Sequence, residues 1–181
     1  MILIFNANLS KKSVKNFDVK IAPFITKNRK YETIYIDDKK GILFSKSPNL
    51  MKKYTHLLIT GSALSASQGS EYDQIFINII NYFVNNNKAV LGICYGHQMI
   101  ARAILGDSAC RRTKIPEFSW RQINIIENHL FEGILNPVII ESHYDEVCNL
   151  TDDFEVIASN EDCEIQAFQY KQKPVWGLQF H

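Results

Sequence analysis

The stretch Ala89-Val90-Leu91-Gly92-Ile93-Cys94-Tyr95-Gly96 limits the possible folds more than any other part of the chain. Its first half is a short apolar run of the kind that forms a strand buried on both faces. Its second half opens at once into a helical pattern that runs from Gly96 to about Leu105, with Gly106 placed as the C-terminal cap. A strand that passes directly into a helix is one half of a βα unit, and such units build parallel sheets.

Similar apolar runs at residues 1–5, 31–36 and 56–60 read as further strands. A mixed segment containing Pro23, read as holding a helix, separates the first two, and a loop is expected between the second and third. Residues 71–86 place Ile75, Ile79 and Phe83 four apart, with Phe76, Ile80 and Val84 alongside. That is one broad helical stripe, stopped by Asn85-Asn86-Asn87. Beyond Cys110 the alternation ends. Residues 121–127, 137–141, 154–159, 164–170 and 174–180 read as strands, with a hairpin turn at residues 172–174. The expected fold class is α/β: a mostly parallel central sheet flanked by helices, with an antiparallel β extension. No linker or composition shift divides the chain, so residues 1–181 are expected to form one domain.

Composition narrows the function classes. Hydrophobic residues make up 46% and charged residues 22% of the chain, and the formal net charge is +1. That balance argues against broad nucleic-acid or acidic-membrane binding. No apolar run approaches the roughly 20 residues of a membrane span. The opening Met1-Ile2-Leu3-Ile4-Phe5 is short for a secretory signal and has no basic residues before it. Cys94, Cys110, Cys148 and Cys163 form no CxxC pair, so free thiols in a reducing cytoplasm are expected. There is no G-x-x-x-x-G-K-[ST] loop, hence no ATP module in this stretch. A metal set of His143, Asp145 and Cys163 lacks recognisable ligand spacing. No cofactor and no metal are expected, and Arg111-Arg112 reads as a solvated pair able to steer an anion.

Cys94 is the reactive candidate. Glycines two positions to either side form a G-x-nucleophile-x-G elbow, in which small residues allow the sharp turn that projects the central side chain. The thiol then sits at a helix N-terminus, where the macrodipole and free N–H groups favour thiolate. A thiol nucleophile needs a proton shuttle, normally histidine. Of five histidines, His56 opens a strand and reads as structural. His97 lies inside the helix and braces the elbow, and His129 lies in a polar, solvent-exposed turn. His143 and His181 each follow a strand, where a base could meet a nucleophile at another strand's C-terminal end. Residue types alone do not choose between them.

Residues 91–98, Leu-Gly-Ile-Cys-Tyr-Gly-His-Gln, resemble the nucleophile motif of class I, triad-type glutamine amidotransferases. Gly177-Leu178-Gln179-Phe180-His181 resembles that family's histidine motif, in the same order and at a similar separation. The resemblance implies a flavodoxin-like fold, with Cys94 attacking a glutamine side-chain amide and His181 shuttling the proton. It implies oxyanion-hole N–H groups at Ser62 and Tyr95, and substrate contacts at Gly61, Gln98, Ser119 and Trp120. His143 and Asp145 fall in a segment, Ser142-His143-Tyr144-Asp145-Glu146-Val147, similar to that of GMP synthase amidotransferase units, as residues behind the site or facing a partner. Thr60-Gly61-Ser62 is more like stand-alone GMP synthase-like proteins, which include γ-glutamyl peptidases. The family also has a glutamate two residues after the histidine and a closing helix. By that pattern residues 1–181 lack the family's C-terminal end. Three readings follow: a glutaminase that passes ammonia to an ATP-dependent synthetase partner, a stand-alone hydrolase of a γ-glutamyl small molecule, and a binding or regulatory module with impaired catalysis.

Overall fold

A computed structural model describes residues 1–27, 29–126, 128–171 and 173–181. The first half of the chain follows the order β1 (Ile2–Asn6), α1 (Lys11–Asn16), a π-helical turn (Phe17–Ile21), α2 (Ala22–Thr26), β2 (Tyr31–Tyr35), α3 (Lys39–Lys46), β3 (His56–Ile59), α4 (Asp73–Asn85), β4 (Ala89–Ile93) and α5 (Tyr95–Leu105). The second half adds β5 (Cys110–Glu117), β6 (Trp120–Gln122), β7 (Asn124–Ile125), β8 (Val138–Ile140), β9 (His143–Val147), β10 (Phe154–Ser159), β11 (Ala167–Tyr170) and β12 (Val175–Leu178).

The main sheet has the strand order β2-β1-β3-β4-β12-β11-β10-β7. From β2 to β12 the neighbours are parallel, and from β12 outward each pair is antiparallel. The parallel sheet with its antiparallel extension is the architecture expected from the sequence. The two halves join at β12, which lies beside β4 in the register Gly177↔Gly92 and Leu178↔Ile93. Two small ladders, β5 with β9 and β6 with β8, lie outside the sheet.

Strand alternation sends Leu3, Phe5, Leu57, Ile59, Val90 and Val175 to one face, under Phe76, Ile79, Ile80 and Phe83 of α4. The Phe5 and Phe76 rings stack at 4.1 Å. On the other face, Ile4 packs with Phe17 and Ala22. A smaller core around Ile123, Phe131, Ile157, Ala158 and Ala167 holds the antiparallel end.

The structure departs from the sequence expectation at several elements. The segment between β2 and β3 is no plain loop; it holds α3, whose N-cap Asp38 accepts the Lys40 N–H at 2.9 Å. Its Lys-rich start hides the helical stripe. The strand expected over residues 121–127 is two short pieces, β6 and β7, split at the buried Ile123, and Glu127 lies outside the described residues. The strand expected from residue 164 begins only at Ala167, because the Asn160 side chain turns the chain by accepting the N–H groups of Asp162 and Cys163. Strands β5 and β9 have no counterpart in the sequence reading, since Arg111, Arg112, Asp145 and Glu146 break the apolar pattern, yet these four pair across the ladder. Of the expected turn, Gln172 lies outside the described residues, and β11 and β12 flank it as an antiparallel pair. Gly106 takes the cap position of α5 at φ +89°. Among the described residues no helix is long and apolar enough to cross a membrane.

Candidate active site

Close packing makes the turn at Cys94. A Cβ on Gly92 would stand 2.4 Å from the Gly96 carbonyl, and one on Gly96 would stand 2.5 Å from the Ile59 carbonyl oxygen. Only hydrogen fits at either position, so β4 can pass straight into α5. Cys94 itself takes φ 51°, ψ −105°, a conformation that costs about 1–3 kcal/mol and persists only where the surroundings impose it. They do so here through the Cys94 N–H, which donates to Leu178 O at 2.7 Å, and through Cys94 O, which accepts the Gln98 N–H at 3.1 Å.

His181 follows the end of β12, the parallel neighbour of β4, so thiol and imidazole leave the C-terminal edges of adjacent strands. A Cβ built on Gly61 would lie 2.8 Å from His181 Cε1 and 3.5 Å from Cys94 Cβ. Gly61 therefore leaves open a space that both side chains border. His181 as a whole is open to solvent, while its ring is tucked against Gly61. Burial of the ring, helped by the charge of His143, lowers its pKa below the ordinary histidine value. His181 is thus neutral near pH 7 and has a lone pair for a proton.

The expectation that the helix N-terminus leaves Cys94 as thiolate is corrected. The residue is 5% exposed, and burial pushes the thiol up to about 12, with Glu141 and Asp145 adding to the rise. The Tyr95 N–H and the Gln179 side chain pull the other way and do not outweigh it. At rest the pair is a neutral thiol beside a neutral imidazole.

Residues 61–67 form a loop beside the thiol. Among the described residues no acceptor takes the Ser62 N–H, while Ser62 Oγ accepts the Leu64 N–H at 3.1 Å. Asp145 fixes this loop: its carboxylate accepts Ser65 Oγ at 2.6 Å, Ser67 Oγ at 2.8 Å and the Ser67 N–H at 3.1 Å. Burial alone would raise the Asp145 pKa, but these bonds and Arg112 hold it low. Gln98 is buried, and its Nε2 donates to Asp145 O at 2.8 Å and Gln179 Oε1 at 3.0 Å. Its amide nitrogen is committed to the protein.

His143 has a different environment from His181. It is 4% exposed on β9. Its Nδ1 lies 3.0 Å from Asp145 O, and its Nε2 lies 2.9 Å from Glu117 Oε2 and 3.4 Å from Glu141 Oε2. Both nitrogens face acceptors, so both carry hydrogen and the ring is an imidazolium. Burial opposes that charge, but Glu117 and Glu141 raise the pKa to about 9. Glu117 also accepts Asn160 Nδ2 at 2.7 Å and Gln166 Nε2 at 2.9 Å. Glu117, His143 and Cys163 come within 4.8 Å of one another. The sequence points to His143 and Cys163 but not to Glu117 and Glu141, each an isolated acid at the end of an unremarkable stretch.

A cleft of about 1150 Å³ is lined by Gly61, Ser62, Cys94, Gln98, Ser142, His143, Asp145 and His181, and it extends along the sheet past Leu58, Leu91 and Trp176. Phe118, Tyr144 and Arg112 also border it, with Arg112 stacked 4.4 Å over the Tyr144 ring. Ser119 and Trp120 are not brought into it. Trp120 is 69% exposed, and Ser119 O accepts the Glu141 N–H at 2.9 Å. Arg111 and Arg112 are not a free pair, since they bond Glu146 and Asp145 at 2.7 and 3.2 Å. His56 is exposed, contrary to expectation, and His129 is exposed, as expected, with its ring edge-on to Trp176 at 5.7 Å. His97 is wholly buried against Phe168 and Gly177, filling the space a Cβ at Gly177 would need.

A thiol on a strand-to-helix elbow, with a histidine at the end of the adjacent parallel strand, is the arrangement of α/β proteins suited to acyl transfer through cysteine. The chain belongs to the class-I glutamine amidotransferase family, whose model matches residues 5–181. It is 33% identical over 144 residues to the glutamine-hydrolyzing GMP synthase subunit of Pyrococcus furiosus, a match covering 78% of this chain and 65% of that one. It is 36% identical over 106 residues to the corresponding subunit of Methanosphaera stadtmanae, covering 58% and 56%. The chain thus spans less than two thirds of the length of these two relatives. A solved structure described as a GMP synthase subunit from Thermoplasma acidophilum superposes with a TM-score of 0.77 at 25% identity, over 100% of this chain and 84% of that one. A glutamine amidotransferase from Thermotoga maritima shares the fold, with a TM-score of 0.72 at 18% identity, over 100% and 75%.

Proposed function

We propose that this protein hydrolyses the side-chain amide of glutamine and hands the ammonia to a separate ATP-dependent synthetase subunit of the GMP synthase type. The observation that carries the reading is the placing of Cys94 and His181 against the same glycine, Gly61, at the ends of adjacent parallel strands. Neutral His181 takes the Cys94 proton as the sulfur attacks the amide carbon, which avoids any standing thiolate in a buried site. The negative oxygen that develops is met by the N–H groups of Ser62 and Tyr95, each worth roughly 3 kcal/mol in a preorganised hole. Collapse breaks the C–N bond, and ammonia departs with the proton from His181. Water, deprotonated by His181, then opens the γ-glutamyl thioester to glutamate and restores the thiol. Gly61 and Gln98 border the substrate; Ser119 and Trp120 could contact it only after their segment moves. His143 and Asp145 act from behind these groups. The protein operates in the cytoplasm without a cofactor.

The open cleft supports a second reading. At about 1150 Å³ it is larger than the usual 300–1,000 Å³ of a small-molecule site. It has room for a γ-glutamyl peptide or metabolite, cleaved by the same thioester chemistry.

One assay separates the readings. The protein alone is incubated with glutamine and with a set of γ-glutamyl compounds, and glutamate and ammonia are measured with and without a synthetase partner. Glutamine hydrolysis that rises on adding the partner is the expected result. Turnover of a γ-glutamyl peptide at full rate by the protein alone would establish the second reading instead. Inertness toward every compound, partner present, would leave a binding module.

A further inference from the structure

Three parts of the site lean on one short segment, residues 140–145. Ile140 O accepts the His181 N–H at 3.1 Å. Ser142 O lies 3.9 Å from Cys94 Sγ. Asp145 receives Gln98 Nε2 on its carbonyl and holds the Ser62-bearing loop through its carboxylate. The base, the nucleophile and the loop next to them are therefore registered against a single piece of backbone, none of which comes from the parallel sheet.

What holds that piece is His143. Its imidazolium joins Glu117, at the end of β5, to Glu141, at the start of the segment, and its Nδ1 closes on Asp145 O. A register shift in the β5–β9 ladder between Arg112 and Glu117 aims Glu117 inward opposite His143. Among the described residues, neither Glu141 oxygen has a hydrogen bond, and His143 is its one ion-pair partner. If the ring lost its proton, two buried carboxylates would face each other, with Arg121 only 3.7 Å from Glu117 as relief. Buried like charges repel strongly, so the segment would be driven off its seat.

We infer that residues 140–145 act as a clamp that sets the spacing of Cys94, His181 and the Ser62 loop, and that His143, seated between Glu117 and Glu141, is the positioning residue that keeps the clamp shut. The inference deepens the hydrolase reading above and rests on it. Among the described residues His143 makes no hydrogen bond to Cys94; it acts through the backbone on either side of it.

The sign of the pH effect follows. The clamp is charged and shut below about pH 9 and opens above it. The other ionisable groups near the ring are Cys163, His97 and His181, with Arg121 and its partner Asp162 behind Glu117. Burial keeps the Cys163 thiol protonated and His97 and His181 uncharged near neutrality. None of them supplies a second positive charge at alkaline pH. Deprotonation of Cys94 would also lower the rate, by removing the proton that His181 passes to ammonia, but burial pushes that thiol up to about 12, so a fall in kcat near pH 9 belongs to the clamp.

The test measures kcat and KM for glutamine from pH 6 to 10 for the wild type, His143→Gln and Glu141→Gln, with circular dichroism to check folding. In parallel, the imidazole of His143 is titrated by NMR in the wild type, and Cys94 alkylation by chloroacetamide is timed by intact mass. Misplacement of reacting groups by about 1 Å costs roughly 100-fold, so His143→Gln should lower kcat about 10- to 100-fold with little change in KM. The alkaline fall should vanish in His143→Gln and move about one pH unit lower in Glu141→Gln, where one supporting charge is gone. A folded His143→Gln protein with wild-type kcat and an unmoved alkaline fall would overturn the inference. So would an NMR pKa that does not coincide with the fall. If His143→Gln does not fold, an unmoved fall in Glu141→Gln is decisive against it. If the wild type does not hydrolyse glutamine at all, the hydrolase reading fails, and the clamp is judged on alkylation alone. A break in the wild-type alkylation profile at the His143 pKa, absent from Glu141→Gln at that pH, upholds it, and identical profiles refute it.

Discussion

The two walls of the cleft are built on opposite principles. On the parallel side, β4 and β12 carry Cys94 and His181, both uncharged at rest, in surroundings supplied by glycines and backbone. On the other side, β5 and β9 carry Glu117, His143, Asp145 and Glu146, all buried and all tied into ion pairs. The groups that can react are kept neutral, and the groups that are charged are kept from reacting. A buried charge without a partner is expensive, whereas a buried network that is fully matched fixes position. Charge here serves placement, while the chemistry starts from neutral atoms.

The contrast is most exposed to test at the two reactive groups. Cys94→Ala should lower glutamine turnover by about 10⁴-fold or more, as for other single nucleophile removals, measured as released glutamate; retained turnover would end the thiol mechanism. His181→Gln should cost roughly 10²- to 10⁴-fold, more than His143→Gln. The reverse order would mean that the two histidines exchange roles. A subtler probe is Gly92→Ala, which sets a methyl group against the Gly96 carbonyl. Overpacking of this kind costs about 1–3 kcal/mol, so Tm should fall by roughly 5 °C in a chain of this size. Calorimetry showing no change would mean the elbow has slack.

Stability against pH separates the walls in another way. The His143 pKa is raised to about 9, so its contribution is fully present below about pH 6.5 and is lost as pH rises through about 9. Tm should decline over that interval and do so less in Glu117→Gln. The smallest effect belongs to Glu32, far from either wall. Lys40 and Tyr54, with Lys53, lower it to about 2 against the cost of burial. Its contribution is present above about pH 4.5 and lost as pH falls toward 2. Glu32→Gln should flatten the acid limb of Tm and leave the alkaline limb alone.

The first wall is legible in the sequence and the second is not. Leu91 to Gln98 carries the strand, the turn and the helix in consecutive residues, so local sterics dictate the elbow. His181 is matched to it by the resemblance of Gly177 to His181 to the family's histidine motif, since strand ends alone leave His143 equally open. The clamp depends on residues 117, 141 and 143 meeting across a shifted ladder, and no local pattern encodes that register. Strands β5 and β9 escape notice for the same reason: their charged residues look solvated until the partner strand supplies the opposite sign. Ser119 and Trp120 rest on resemblance alone, and the fold leaves them outside the cleft.

The strained, buried seat of Cys94 has a consequence for the life of the protein outside its reaction. Peroxide and other stray electrophiles select cysteines by thiolate character and access. A thiol held near its protonated form and 5% exposed offers them little of either. On the proposed mechanism its nucleophilicity is latent, summoned when a ligand fills the cleft and His181 has somewhere to deliver the proton. Such a residue should outlast oxidative stress that disables enzymes whose cysteines stand ionised and open.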